Sequence, residues 1–190
     1  MTRALVLCFM LFLGCTAAVA APLSGTKSVG PAGDYASLTA AIADIQAAGN
    51  GLGGALLLEL KAGYVGTVET YPLTIPALNG ASADNTLTIR PASGATGLSL
   101  SAYSSTYPTV DLHGAQYVTF DGRPGGVGTV KQLTIANTYS SGVALRFINE
   151  ASKNKILHTT LRSVNTGALS GTVVFSNTTG ANGNDDNLLD

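Results

Sequence analysis

The chain has 190 residues and a formal net charge of −1, and charged residues make up only 11% of it, against about 25% in an ordinary soluble domain. This composition excludes a nucleic-acid-binding protein, which needs a basic field, and it predicts no long-range attraction of an ionic partner. Without a targeting segment, the chain is still long enough for one domain with its own core. Trp is absent and there are seven Tyr, so tyrosine is the main aromatic residue available for stacking on a sugar.

Residues 1–20 predict a signal peptide. Arg3 supplies the positive charge, and the apolar run over residues 4–14 is too short to span a bilayer comfortably. Small residues at 18–20 predict cleavage after Ala20. The alternative is lipidation at Cys15, because this residue and the two before it resemble the end of a lipobox. We therefore expect a secreted or cell-surface protein with no membrane span after signal removal, or one anchored by lipid through Cys15.

Residues that bind metals or undergo redox chemistry are scarce. Both cysteines, Cys8 and Cys15, lie in the predicted signal peptide, so cleavage after Ala20 leaves no disulfide, thiol nucleophile or cysteine metal site. His113 and His158 are the two histidines, which excludes a site built from several histidines.

Residues 21–54 predict an N-terminal cap with one helix. Residues 24–36 have the composition of a loop, and a helix is expected over residues 38–48, with Ser37 as its N-cap and Gly49 at its end. Four apolar residues form one stripe on this helix: Leu38, Ala41, Ile42 and Ile45. Because the end of a solenoid core needs a cover, we expect the helix to be a lid. The alternative is a partner-binding helix.

Residues 55–190 predict the coils of a β-solenoid. After the apolar segment 55–60, short strands carry apolar residues spaced by two, which places both side chains on one face. Gly, Asn, Asp, Ser and Pro separate them and predict turns, and residues 101–109 predict a protruding loop. The spaced residues are Leu73 and Ile75, Leu87 and Ile89, Leu98 and Leu100, Val110 and Leu112, Val118 and Phe120, Leu133 and Ile135, Leu145 and Phe147, with Ile156 and Leu188 in two further strands.

An imperfect repeat favours the solenoid. Phe120, Phe147 and Phe175 are 27 and 28 residues apart in similar local sequences. Such periods, made of strands and turns, are typical of coils that cover one another's apolar faces. The repeat predicts that these three Phe stack on each other and that Asn stacks on Asn. An antiparallel β-sandwich, which also has many short strands, is the alternative.

Several motifs resemble right-handed parallel β-helices of the pectin-lyase kind. The motifs are Asp34-Tyr35-Ala36-Ser37-Leu38, Ala62-Gly63-Tyr64, Ile75-Pro76-Ala77, Asn85-Thr86-Leu87-Thr88-Ile89, the run from Val118 to Gly126, and Gly183-Asn184-Asp185-Asp186-Asn187. They are similar to the amino-terminal regions of long secreted and surface proteins of Bacteroidetes-type bacteria. The resemblance implies an all-β parallel β-helix and type IX secretion cargo. In that family further repeats and a sorting domain follow, so we expect a C-terminally truncated β-helix with an exposed last coil.

Four residues are candidates for chemistry: Asp111, His113, Asp121 and Arg123. Parallel β-helices that cleave polysaccharides carry carboxylates and cations on the outside of one sheet, where an acid or base acts on a bound sugar. Asp111 and His113 alternate with apolar neighbours and are expected to face outward together. Asp121 and Arg123 are expected in a Gly-rich turn, and the favoured interpretation there is a structural Asp that bonds its own backbone. For His113 the favoured interpretation is a surface or turn histidine rather than a catalytic base.

Two further patterns concern ligands. Five basic residues lie within 32 positions and predict either a face for acidic glycans or solvated turns: Lys131, Arg146, Lys153, Lys155 and Arg162. Residues 180–187 match half of a calcium nonapeptide and make Asp185 the candidate Ca²⁺ ligand, with an Asn/Asp turn ladder as the alternative. No other cofactor is expected.

These observations favour a non-catalytic secreted or cell-surface β-helix, structural or adhesin-like. Its expected partners are an extracellular glycan or a surface protein, and it is expected to be a monomer. The alternative is the amino-terminal part of a polysaccharide lyase or glycoside hydrolase.

Overall fold

The computed structural model describes residues 21–167, 171–177 and 180–190; the predicted signal peptide and both cysteines lie outside the described residues. It contains one α-helix, α1 (Leu38–Gln46), two short 3₁₀ turns (Gly66–Val68 and Pro124–Gly126) and thirteen strands in the described part. The strands are β1 (Leu23–Val29), β2 (Leu52–Leu60), β3 (Leu73–Pro76), β4 (Leu87–Pro91), β5 (Leu98–Ala102), β6 (Val110–His113), β7 (Val118–Asp121), β8 (Leu133–Asn137), β9 (Leu145–Ile148), β10 (Lys155–Leu157), β11 (Thr160–Ser163), β12 (Val173–Phe175) and β13 (Leu188–Leu189).

The strands form three sheets in which every paired strand is parallel to its neighbour. Sheet A has the order β1-β2-β4-β7-β10-β13, sheet B the order β3-β6-β9-β12, and sheet C the order β5-β8-β11. Successive coils add one strand to each sheet, as β4, β5 and β6 do, and about five turns stack in this way. The molecule is therefore a parallel β-solenoid, and the antiparallel sandwich is excluded.

The core consists of side chains that alternate inward along each strand. In sheet A, Leu58, Ile89, Phe120 and Ile156 lie side by side in one inner row, and none is more than 2% exposed. This confirms the predicted faces of the short strands. Each coil buries its apolar residues against the coils on both sides, because one coil alone has too little apolar surface to form a core.

The predicted stack of three phenylalanines is wrong for Phe120. Phe147 and Phe175 pair in register in sheet B, and their rings stack at 4.6 Å. Phe120 instead lies in sheet A, where it pairs with Ile156. The 27 residues from Phe120 to Phe147 carry the chain from sheet A to sheet B, which is less than one full coil. Partners in adjacent coils at Glu59–Arg90, Asp111–Arg146 and Asn154–Asn187 are 31, 35 and 33 residues apart.

The expected loop over residues 24–36 is also wrong in its first part. Residues 23–29 form β1, which pairs along its length with β2. The strand lacks apolar alternation because most of its residues are exposed or half-buried, and its register shifts near Gly25. Pairing with the apolar strand β2 therefore determines the conformation of this segment.

Helix α1 has the predicted N-terminus and buried stripe. The Ser37 hydroxyl accepts a hydrogen bond from the Ala40 amide at 3.0 Å, as an N-cap residue does. Leu38, Ala41, Ile42 and Ile45 are all buried. The helix ends at Gln46 rather than at residue 48, because Ala47 is already extended. It lies at the N-terminal side of the coil stack.

The predicted asparagine ladder is present at the corner before sheet A. The Asn154 side chain is completely buried; its Oδ1 accepts from the Val118 amide at 3.0 Å and its Nδ2 donates to the Ala115 carbonyl at 2.9 Å. Asn187 repeats the position one coil later, and its Oδ1 accepts from the backbone and side-chain amides of Asn154, both at 3.0 Å. The ladder satisfies backbone groups that the turn leaves without partners.

The last coil exposes apolar side chains. Phe175 is 53% exposed and Leu189 41%, whereas their register partners in the preceding coil, Phe147 and Ile156, are buried. Leu188, at 49%, is the partner of the exposed Lys155 and faces outward. An apolar surface therefore lies at this end of the described solenoid.

Candidate functional site

Asp111 and Arg146 form an ion pair on the outer face of sheet B. The two residues are register partners in β6 and β9. Arg146 donates from Nε to Asp111 Oδ1 at 2.9 Å and from Nη2 to Asp111 Oδ2 at 2.7 Å. The Asp111 side chain is only 4% exposed and that of Arg146 is 29% exposed. The bidentate pair ties two coils together and neutralises a carboxylate that is almost completely buried.

His113 faces outward beside this pair, as predicted. Its Nδ1 lies 3.7 Å from Asp111 Oδ2, and its Nε2 contacts the side-chain amide of Asn149. The imidazole is about half exposed. Asp111 thus lies near one ring nitrogen, beyond hydrogen-bond distance, while Asn149 contacts the other.

Asp121 and Arg123 form a second ion pair within a single turn. Arg123 donates its backbone amide to Asp121 Oδ1 at 3.0 Å and its Nη2 to Oδ2 at 2.8 Å. Burial favours the neutral carboxyl, but the hydrogen bonds from Arg123 outweigh it and hold the pKa of Asp121 below its ordinary value. A Cβ on Gly122 between them would lie within 1.9 Å of the His158 carbonyl, so only glycine fits there. These contacts are the ones expected of the structural turn that the sequence favoured.

The four candidates are not brought together in one cleft. Asp111 and His113 lie in β6 of sheet B, whereas Asp121 ends β7 of sheet A and Arg123 follows it. Each carboxylate is held by its own arginine. The arrangement therefore provides two separate charge-neutral pairs rather than an acid and a base facing one substrate.

The five basic residues do not share a face either. Arg146 is in sheet B, Lys155 in sheet A and Arg162 in sheet C. Lys153 donates to the Tyr117 hydroxyl at 3.2 Å and lies over its ring. Because the cations are distributed around the solenoid, they do not create one positive surface for an acidic glycan.

Asp185 lines a polar cleft of about 610 Å³ together with Glu150, Lys153 and Asp186. Its backbone carbonyl accepts from the Lys153 amide at 3.1 Å, and Lys153 brings a cation into the cleft. Among the residues that the structure describes, no group of three or more His, Cys, Asp or Glu side chains is arranged to hold a metal ion.

Glu69 is a buried structural carboxylate that the sequence analysis missed. It is 8% exposed, and it accepts hydrogen bonds from the backbone amides of Leu38 and Thr39 at 2.7 Å and from the Tyr64 hydroxyl at 2.6 Å. Burial and this hydrogen bond raise the pKa of Tyr64. Glu69 therefore fixes the N-terminus of α1 to the first coil, where a negative charge is also favoured by the helix dipole.

Three tyrosines, two exposed and one half-buried, lie at the corner between sheets C and B. Tyr103 and Tyr107 belong to the loop from β5 to β6, and Tyr139 belongs to the equivalent loop one coil later. The Tyr103 side chain is 74% exposed, and its ring packs edge to face on Tyr139 with centroids 5.0 Å apart. We call Tyr103, Tyr107 and Tyr139 the tyrosine edge. The predicted protruding loop was the only sequence signal for it.

A cleft of about 170 Å³ adjoins this edge, and we call it the Arg146 cleft. Tyr107, Ser105, Arg146 and Ser176 are among its lining residues. A larger and mostly apolar groove of about 320 Å³ lies between α1 and β3, where Ile42 and Pro72 contribute to the walls. Of these two hollows, only the Arg146 cleft is lined by an exposed aromatic ring together with an arginine and two serine hydroxyls.

Comparison of the chain with protein-family models, with curated proteins and with solved structures finds no match. In the described ranges 21–167, 171–177 and 180–190, no helix has the length and apolar character needed to cross a bilayer. The function must therefore be inferred from the fold and from the arrangement of these side chains.

Proposed function

We propose that the chain is a non-catalytic, secreted or cell-surface β-solenoid module, structural or adhesin-like, which contacts glycans. The observation that carries this proposal is the pairing of its outward carboxylates. Asp111 is held by Arg146 and Asp121 by Arg123, on different sheets, and acid–base cleavage of a sugar bond needs two groups that converge on one bond. A third pair, Glu59–Arg90 at 2.8 Å, extends the same pattern.

Incubation with acidic polysaccharides tests the proposal. We expect no unsaturated or reducing ends from polygalacturonate, alginate or chondroitin, with or without Ca²⁺. Turnover that disappears in Asp111→Asn or Asp121→Asn would overturn the proposal.

The second candidate function is a polysaccharide lyase or glycoside hydrolase, and it is favoured by the contact between His113 and Asp111. A carboxylate beside an imidazole is a common arrangement for a general base, and here the two groups lie 3.7 Å apart. If this candidate is correct, His113→Gln abolishes turnover and the matched variant His158→Gln does not.

Export is proposed from the character of residues 1–20, and the resemblance to Bacteroidetes-type secreted proteins of the pectin-lyase kind supports it. Expression of the full chain in a bacterial host should yield a mature protein that begins at Ala21, as measured by mass spectrometry. A lipid-modified Cys15 at the N-terminus would identify the anchored form instead. Retention of Met1 in the recovered protein would contradict export through this segment.

A further inference from the structure

We infer that the tyrosine edge and the Arg146 cleft together form a binding site for an uncharged glycan. This inference rests on the proposed extracellular role, since it names the ligand class and the site for the glycan contact. Three properties carry it: a largely exposed aromatic surface, loops fixed by a buried asparagine, and a cleft that combines apolar walls with hydroxyls and an arginine balanced by a carboxylate.

The aromatic surface is most accessible at Tyr103, which is 74% exposed, while Tyr139 is half-buried. Tyr103 and Tyr139 come from consecutive coils, and their rings are inclined by 68°. Because the rings meet edge to face, they do not cover all of each other's faces. Aromatic faces carry partial negative charge and attract the C–H groups of a sugar ring, while the tyrosine hydroxyls bind sugar hydroxyls. Tyrosine also loses little conformational entropy on binding.

Asn137 positions both loops. This residue is 1% exposed, and its Oδ1 accepts from the Tyr139 amide at 3.1 Å and the Ser104 amide at 3.3 Å. Its Nδ2 donates to the Val143 carbonyl at 3.2 Å and the Tyr107 carbonyl at 3.4 Å. One buried amide therefore fixes the backbone at all three members of the tyrosine edge, which lowers the cost of ordering them on binding.

The Ser104 side chain adds a second constraint within the first loop. Its hydroxyl accepts from the Thr106 amide at 3.1 Å and the Tyr107 amide at 3.3 Å. The segment that carries Tyr103 and Tyr107 is thus a hydrogen-bonded loop and is already ordered before a ligand arrives.

The Arg146 cleft supplies polar contacts without net charge. Arg146 uses Nε and Nη2 on Asp111, and in the part of the chain that the structure describes its Nη1 has no partner. Ser105 and Ser176 add hydroxyls at the wall. Asp111 balances the arginine, and no other charged side chain lines the cleft, so a carboxylate ligand gains little Coulomb energy while sugar hydroxyls can accept from Nη1.

The size of the cleft fits one unit of a longer chain. Pockets that enclose a drug-sized ligand usually hold about 300–1,000 Å³, and this cleft holds about 170 Å³. We infer that one sugar ring enters the cleft while its neighbour stacks on Tyr103 or Tyr139.

Calorimetric titration with oligosaccharides of defined charge tests the inference. The probes are neutral glucan, mannan and galactan oligosaccharides against oligogalacturonate and oligoalginate, each at low and at high salt. We expect binding of at least one neutral probe with a Kd that salt does not change, and no tighter binding of either anionic probe.

Variants locate the site. Tyr103→Ala and Tyr139→Ala should each weaken neutral-probe binding by about tenfold or more, whereas Tyr103→Phe should retain most of it. Tyr117→Ala, at another corner of the solenoid, is the matched control and should leave the Kd unchanged.

Hydrogen exchange tests the positioning role of Asn137 separately from ligand binding. Asn137→Ala should weaken binding and also speed hydrogen exchange at the amides of Ser104 and Tyr139, while circular dichroism retains the β signal. Unchanged exchange at these amides would contradict the positioning role.

Three results would overturn the inference: binding of anionic probes alone with strong salt dependence, neutral binding that survives both tyrosine variants, or no binding of any neutral probe. None of these results involves sugar cleavage. Sugar cleavage is the result that would overturn the non-catalytic function, so failure of the glycan-site inference and failure of the proposed function can be told apart.

Discussion

Phe147 and Phe175 are neighbours in one stacked row of sheet B, yet Phe147 is completely buried and Phe175 is 53% exposed. The difference arises from the number of coils around each residue, because Phe147 has a coil on both sides and Phe175 lies in the last full coil. At the other end of the solenoid, α1 buries its apolar stripe and Glu69 holds its N-terminus. Stability in this fold therefore depends on covering each coil. In the described residues a helix covers the first coil, whereas β12, which carries Phe175, is an edge strand of sheet B.

The largest expected effect is the loss of a buried ring in the middle of the stack. Phe147→Ala should lower the free energy of unfolding by about 3–5 kcal/mol, because it removes a buried aromatic side chain and leaves a cavity. Phe175→Ala, in the same row, should cost about 1 kcal/mol or less. Urea unfolding followed by circular dichroism measures both, and equal losses would contradict the comparison.

At the end covered by α1, replacing Glu69 should lower the free energy of unfolding nearly as much. Glu69→Ala leaves two helix amides and the Tyr64 hydroxyl without their acceptor and should cost about 2–3 kcal/mol. Asp84→Ala, an exposed carboxylate, is the control and should change stability by less than about 0.5 kcal/mol. A Glu69 variant as stable as the control would mean that the helix does not depend on this anchor.

The Asp121–Arg123 pair should stabilise the protein without a neighbouring coil, because both residues lie within one turn. The folded-state pKa of Asp121 lies below the ordinary value of 3.8. Its stabilisation is therefore present above pH 3.8 and is lost as the pH falls through the folded value. Asp121→Asn should be less stable than the parent at pH 7, by less than the Glu69 variant because Arg123 is partly solvated, and the difference should shrink at lower pH. A difference that stays constant down to acid pH would contradict this assignment.

The smallest expected effect concerns the first turn of α1. Ser37→Ala removes the hydroxyl that accepts from Ala40 and should cost about 1 kcal/mol, whereas Ser37→Gly should cost a few tenths. Thermal unfolding of the two variants distinguishes them. An alanine variant as stable as the parent would indicate that Glu69 alone holds the helix N-terminus.

The sequence predicted the local parts of this fold well. Alternating pairs such as Val110 and Leu112 identify strands because the period of two is a local property, and Ser37 identifies the start of α1 for the same reason. The parallel stack followed from a repeat too long for one hairpin. Strand β1 was missed because its segment has no alternation and depends on pairing with β2.

Contacts between coils were predicted less well. The spacing of Phe120 and Phe147 counts residues but does not say which of three sheets each one occupies. Glu69 lies 31 residues from Leu38, and Tyr103 meets Tyr139 only because two loops of unequal coils coincide at one corner. Such contacts depend on the number of residues in each coil. Turns of variable size determine that number, and no local sequence pattern encodes it.

The parallel register of sheet A is the claim on which all these contacts depend, and a disulfide test measures it directly. Thr88 and Thr119 are outward register partners in β4 and β7, and adjacent strands lie about 5 Å apart, within the range of a disulfide. In a background with Cys8→Ser and Cys15→Ser, the double variant Thr88→Cys/Thr119→Cys should cross-link under mild oxidation. Thr88→Cys/Thr134→Cys, which joins sheet A to sheet C, should remain reduced. A first pair that stays reduced, or a second pair that cross-links, would contradict the stacked solenoid.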